Sequence, residues 1–128
     1  MDTFKTENKQ AIGKRGEALA IFILEEEGYK ILGRNYRTKL GEVDIIAEDK
    51  SNKDLVFIEV RARKSSSFCT AKESIDYRKQ MRLVRVSLAY IKENYLGRRN
   101  IRFDVFAIQD GSYELIKNAF SSKIGYTY

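Results

Sequence analysis

The chain is 128 residues long, with 43% hydrophobic and 33% charged residues, which is enough apolar material for one packed domain. It has no histidine, no proline and a single cysteine, Cys69, so imidazole catalysis, histidine-ligated zinc, multi-cysteine metal clusters and an intrachain disulfide are excluded. The net charge is +6, but it is unevenly spread: Arg61 to Arg102 holds twelve basic against three acidic residues, a local +9. The longest apolar run, Ala18 to Leu24, falls far short of the roughly twenty residues that span a bilayer. Met1-Asp2-Thr3-Phe4 opens no leader pattern, so a cytoplasmic, non-membrane protein is expected.

Residues 1–10 are polar and read as a flexible N-terminus, ahead of a single domain over 11–128. Ile12, Gly16, Leu19 and Ile23 recur at spacings of four, three and four, which predicts a helix over 11–27. Tyr29 to Arg37 is a strand candidate. Gly41 opens a second strand, Glu42-Val43-Asp44-Ile45-Ile46-Ala47, and a polar turn over 48–54 leads to a third, Leu55 to Arg61. Two strands around such a turn predict a hairpin. Ser65-Ser66-Ser67 marks a loop. Tyr77, Met81, Val84, Leu88, Ile91 and Tyr95 then predict a helix over 76–96 that buries those side chains, with Gly97 as its stop. Ile101 to Gln109 alternates as a strand, and Tyr113 to Lys117 reads as the last one. The order predicts a mixed α/β domain.

Two acids sit where acids are costly. Asp44 interrupts Val43-Ile45-Ile46, and Glu59 interrupts Val56-Phe57-Ile58-Val60. A carboxylate among such neighbours needs a cation or hydrogen bonds to compensate its burial. Strand pairing across the 48–54 turn brings the two acids near each other. Two close carboxylates are tolerable around a divalent cation, and oxygen donors without histidine point to Mg²⁺ or Mn²⁺. Period two places Glu59, Arg61 and Arg63 on one strand face, so Glu59 and Arg61 also read as an ordinary same-face ion pair. Paired acids serve glycoside hydrolysis too, but the lack of tryptophan and the adjoining +9 segment favour a phosphodiester.

The long helix adds a basic stripe of Arg78, Arg82, Arg85 and Lys92 beside its apolar one. This stripe is either a solvated face or a run of backbone phosphate contacts. On the first helix, Gly13, Glu17, Ala20 and Leu24 share a stripe that is otherwise small or apolar. Glu17 there either snorkels to solvent or points into a site.

Gly41-Glu42-Val43-Asp44-Ile45-Ile46-Ala47, then Val56-Phe57-Ile58-Glu59-Val60-Arg61-Ala62-Arg63, then Asp76-Tyr77-Arg78-Lys79-Gln80 with Leu83, resemble the YraN-type family of small bacterial proteins. Lys14-Arg15-Gly16-Glu17-Ala18-Leu19-Ala20 and Arg102-Phe103-Asp104-Val105 look like that family's first helix and later strand. The family is similar to restriction-endonuclease-like nucleases and archaeal-type Holliday junction resolvases. Their pattern is an acid, then acid-x-Lys on the adjacent strand, often with a helix Glu.

The resemblance implies a restriction-endonuclease-like three-layer core, with a mixed central sheet of four to five strands flanked by helices. It implies Glu17, Asp44, Glu59 and Arg61 as the catalytic set, with Asp44, Glu59 and the Val60 backbone carbonyl as metal ligands for Mg²⁺ or Mn²⁺. Arg63, Arg78, Lys79, Gln80, Arg82 and Arg85 would contact nucleic acid. The implied partner is DNA, branched DNA included, and a homodimer would suit a four-way junction. Arg61 stands where the pattern has Lys. Arginine stays protonated and cannot be a general base, but it can clamp a phosphate bidentately, and Lys79 on the helix is a candidate substitute for the missing ammonium. Three readings therefore stand open: a metal-dependent endonuclease, a non-catalytic nucleic-acid-binding module of the same fold, and a protein-interaction subunit whose basic face meets an acidic partner.

Overall fold

The β-branched and aromatic run 55–60 is apolar at nearly every position, the pattern of a central strand covered on both faces. In the computed structural model, which describes residues 9–63, 75–94, 99–109 and 111–120, that is its place. The elements in chain order are α1 (Lys9–Glu26), β1 (Tyr29–Thr38), β2 (Gly41–Asp49), β3 (Leu55–Arg63), α2 (Tyr77–Glu93), β4 (Ile101–Gln109) and β5 (Ser112–Phe120). One five-stranded sheet runs β1-β2-β3-β4-β5. The first two pairings and the last are antiparallel, while β3 and β4 are parallel. A parallel pair needs a crossover, and α2 supplies it. The two helices cover opposite faces. Val43, Leu55, Phe57, Phe103 and Val105 pack with α2, whereas Ile45, Val56, Ile58 and Phe106 pack with α1. This mixed sheet between helices is the three-layer architecture that the resemblance implied. Among the described residues, no helix is long and apolar enough to cross a membrane.

The helix faces match the sequence expectation in part: Val84 is buried and Leu88 and Ile91 pack on the core, but the buried side of α2 is shifted from the expected stripe. In α2 the buried side chains are Leu83, Val84, Val86 and Ser87, while Tyr77 is 58% exposed. The start of β2 sits against Arg82 and Val86, which turns that side of the helix to the sheet. In α1 the buried side chains are Ala20, Ile23 and Leu24, and Leu19 is exposed. The stripe carrying Glu17 therefore faces inward. Residues 1–8, the 65–67 loop, Phe68, Cys69, Tyr95 and Gly97 lie outside the described residues.

One end of the sheet is closed by a buried ionic network. Arg102 donates to Asp104 through Nε at 2.9 Å, to Asp49 at 3.0 Å and to the Tyr29 hydroxyl at 2.6 Å. The Asn118 N–H completes the Asp104 shell at 2.9 Å. Four of the five strands are thereby tied together around one guanidinium, whose fork geometry suits several acceptors at once. Burial alone would raise the Asp49 carboxyl, but hydrogen bonds from Ser51 and Arg102 outweigh it and hold it below its ordinary value. A depressed carboxyl stabilises the fold above its unfolded pKa, and that contribution is lost as pH falls through the folded value. Arg102→Met should cost about 3–5 kcal/mol in urea denaturation at pH 7, because it strands buried carboxylates. Asp49→Asn should destabilise at pH 7, with the gap to wild type closing as the pH drops below about 4.

Candidate active site at the open end of the sheet

The opposite end of the β2–β3 pair is open. The ladder runs from Glu48–Leu55 to Ile45–Ile58 and stops there, while β3 stays paired with β4 as far as Arg63–Gln109. Alternation would place Val43 and Ile45 on one face. Instead Val43 belongs to the α2-side core and Ile45 to the α1-side core, so β2 turns over at Asp44. The Val60 N–H, facing β2, donates to Asp44 Oδ2 at 2.8 Å. A side chain thus replaces a ladder carbonyl, which is why an acid is tolerated inside this apolar strand.

Two glycines let the helices approach this end. Gly41 has φ +148, and a Cβ there would stand 3.3 Å from Val86 Cγ2, so β2 begins directly against α2. A Cβ at Gly16 would stand 3.2 Å from Ile108 Cδ1, so α1 lies close on β4, with half-buried Glu17 beside that contact.

Between the diverging strands and α2 is a cavity of about 210 Å³. Glu42 and Asp44 of β2, Glu59 of β3, and Lys79 and Arg82 of α2 contribute its polar lining. Glu59 is 8% exposed, and its Oε1 lies 3.0 Å from Lys79 Nζ and 3.9 Å from Arg61 Nε. Burial pushes the Asp44 carboxyl up to about 7, and repulsion from Glu59, Glu17 and Glu42 adds to this against the lowering effect of the Val60 N–H. Asp44 and Glu59 therefore face one space and feel each other's charge. Among the described residues, no three acidic or thiol side chains converge as a ready-made metal cage. The donors at hand are two carboxylates.

The other sequence-predicted residues are placed as follows. Glu17 reaches the site through its charge on Asp44. Val60 contributes its N–H to Asp44. Arg61 Nε is buried and has no hydrogen-bond partner among the described residues. The Gln80 amide donates to the Ile75 carbonyl at 3.0 Å, bracing the entry to α2. Arg78 and Arg85 are exposed on α2, and the Arg63 side chain lies outside the described residues. Glu42 is a lining residue that the sequence reading passed over, although a strand period of two already pairs it with Asp44.

The model of the uncharacterised protein family UPF0102 matches residues 16–108, a span that contains both acids and α2. The chain belongs to the UPF0102 family. A UPF0102 protein of Desulfosudis oleivorans is 43% identical over 118 residues, covering 91% of this chain and 94% of the relative. One of Thermodesulfovibrio yellowstonii is 46% identical over 112 residues, covering 85% and 95%. Among solved structures, a repair endonuclease from Pyrococcus abyssi aligns at 21% identity with a TM-score of 0.39, over 82% of this chain and 41% of its own. The EndoMS-dsDNA2 complex aligns at 21% identity with a TM-score of 0.37, over 72% and 34%.

The raised Asp44 carboxyl has a definite sign in stability. A folded pKa above the unfolded one means that the native state holds an extra proton between pH 4 and 7, roughly, so stability falls as pH rises through that window. Asp44→Asn keeps an acceptor for the Val60 N–H and removes the charge. In metal-free buffer it should melt at least roughly 5 °C above wild type at pH 8, the scale of one kcal/mol in a domain of this size. The two proteins should converge toward pH 4.

Proposed function

We propose that this UPF0102 protein is a metal-dependent endonuclease acting on DNA, branched DNA included, with Asp44 and Glu59 holding Mg²⁺ or Mn²⁺. The observation that carries this reading is the pair of acids on adjacent strands facing one cavity, with two cations of α2 opposite them. The donor set fits such an ion. Both ligands are hard oxygens, and burial with mutual repulsion opposes ionisation of Asp44 until a cation offsets it. The backbone carbonyl of Val60 is the third donor in this proposal. A bound ion would polarise a water and offset charge on a phosphodiester.

The chain's own residues do the rest. Glu17 adds negative charge from α1, which favours a divalent over a monovalent cation. Exposed Arg78 and Arg82 on α2 supply contacts to the phosphate backbone, the part of recognition that is independent of sequence. Glu59 is held in place by Lys79 at 3.0 Å, with Arg61 Nε farther off at 3.9 Å.

The second reading, a non-catalytic binding module, is favoured by one observation. Val60 and Lys79 already partner Asp44 and Glu59, and Arg61 cannot take up a proton. Labelled duplex, single-stranded, flap and junction DNA incubated with Mg²⁺ or Mn²⁺ separates the two. Cleavage by wild type that vanishes in Glu59→Ala, with most DNA affinity retained, is the expected result. Tight, salt-sensitive binding without cleavage of any substrate would favour the binding module. Arg78→Ala with Arg82→Ala should flatten the salt dependence of duplex binding by about 0.9 per lost phosphate contact. An unchanged slope in the folded double variant would assign these arginines to solvation.

A further inference from the structure

We propose that Lys79, in the first turn of α2, is the cation that meets a phosphate at the Asp44–Glu59 cavity, a place that the strand pattern would give to residue 61. This deepens the DNA-acting reading and rests on it, but it does not require catalysis.

Three observations converge on Lys79. Its side chain lines the cavity together with Arg82 one turn on, whereas the lining does not include Arg61. Its Nζ lies 3.0 Å from Glu59 Oε1, inside hydrogen-bond range, while Arg61 Nε stands at 3.9 Å and bonds to nothing described. An ammonium carries three donors, so the contact with Glu59 leaves others to face an anion entering the same space. The third observation is the helix itself. Asp76 caps α2 by accepting the Lys79 N–H at 2.9 Å, which fixes the residue at the positive end of the helix dipole.

The chemistry of the two cations agrees with this division. Lysine is a compact charge on a flexible stem, and its donors not engaged by Glu59 would be the ones to face a phosphate. Arg61, with its Nε buried 3.9 Å from Glu59 and without a hydrogen bond among the described residues, stands off the cavity lining. Acids alone would repel a phosphodiester from this cavity. Lys79 and Arg82 offset that repulsion at the point where the phosphate must sit.

The test is fluorescence anisotropy of labelled duplex and junction DNA with Ca²⁺ in place of Mg²⁺, reading binding across a salt series. Wild type, Lys79→Gln and Arg61→Gln are compared, with thermal melting to establish that each is folded. Lys79→Gln should weaken binding about tenfold at low salt and flatten the salt slope by about 0.9, one phosphate contact. Lys79→Arg should keep the wild-type slope, and Arg61→Gln should leave it unchanged. A wild-type slope in folded Lys79→Gln, or an equal loss of slope in Arg61→Gln, would overturn the assignment. Wild type that binds neither DNA in any salt would overturn the DNA-acting reading itself, and this inference with it.

Discussion

The candidate site depends on one hydrogen bond: the Val60 N–H is taken by the Asp44 carboxylate instead of a strand carbonyl. That exchange satisfies a backbone donor where β2 leaves the ladder, and so permits the two strands to part. Parting them opens the cavity, turns Asp44 toward Glu59, and leaves room for α2 to bring in Lys79 and Arg82. The other end of the sheet is closed. Arg102 and its acceptors tie β1, β2 and β4 together, with Asn118 of β5 joined through Asp104, so the sheet is closed where Asp49 lies and open where Asp44 lies.

The charges in the cavity make sense only together. Asp44 and Glu59, with Glu17 and Glu42 nearby, would repel an isolated phosphate, while Lys79 and Arg82 would repel an isolated metal ion. A cation and an anion arriving in the same space meet complementary partners on both sides. Under the proposed function, this balance would serve a metal–phosphate pair rather than either component alone. The Asp44 carboxyl is raised to about 7 first by its burial and then by the neighbouring acids, Glu59 foremost.

Much of this was legible in the residues. All seven elements appear where periodicity put them, because long amphipathic segments and alternating strands carry strong local signals. Asp44 and Glu59 stood out because each breaks an apolar strand, a conflict that sequence shows directly. The inward faces of the helices were legible only in part. Tyr77 and Leu19 fit the apolar spacing but lie outside the contact, since the register of a helix on a sheet is set by close approaches such as Gly41 on Val86 and Gly16 on Ile108. The pairing of Lys79 with Glu59 was equally hidden, because no local pattern relates the first turn of a helix to a strand some twenty residues earlier.

The proposed cation site is tested most directly by titrating Mn²⁺ into the metal-free protein and following the loss of the free-ion paramagnetic resonance signal at pH 8. Wild type should show a saturable site that Asp44→Asn and Glu59→Gln each abolish, while Arg78→Ala leaves it intact. Equal Mn²⁺ binding by wild type and both carboxylate variants would contradict the site. So would the absence of binding by any of them at millimolar Mn²⁺, with or without duplex DNA.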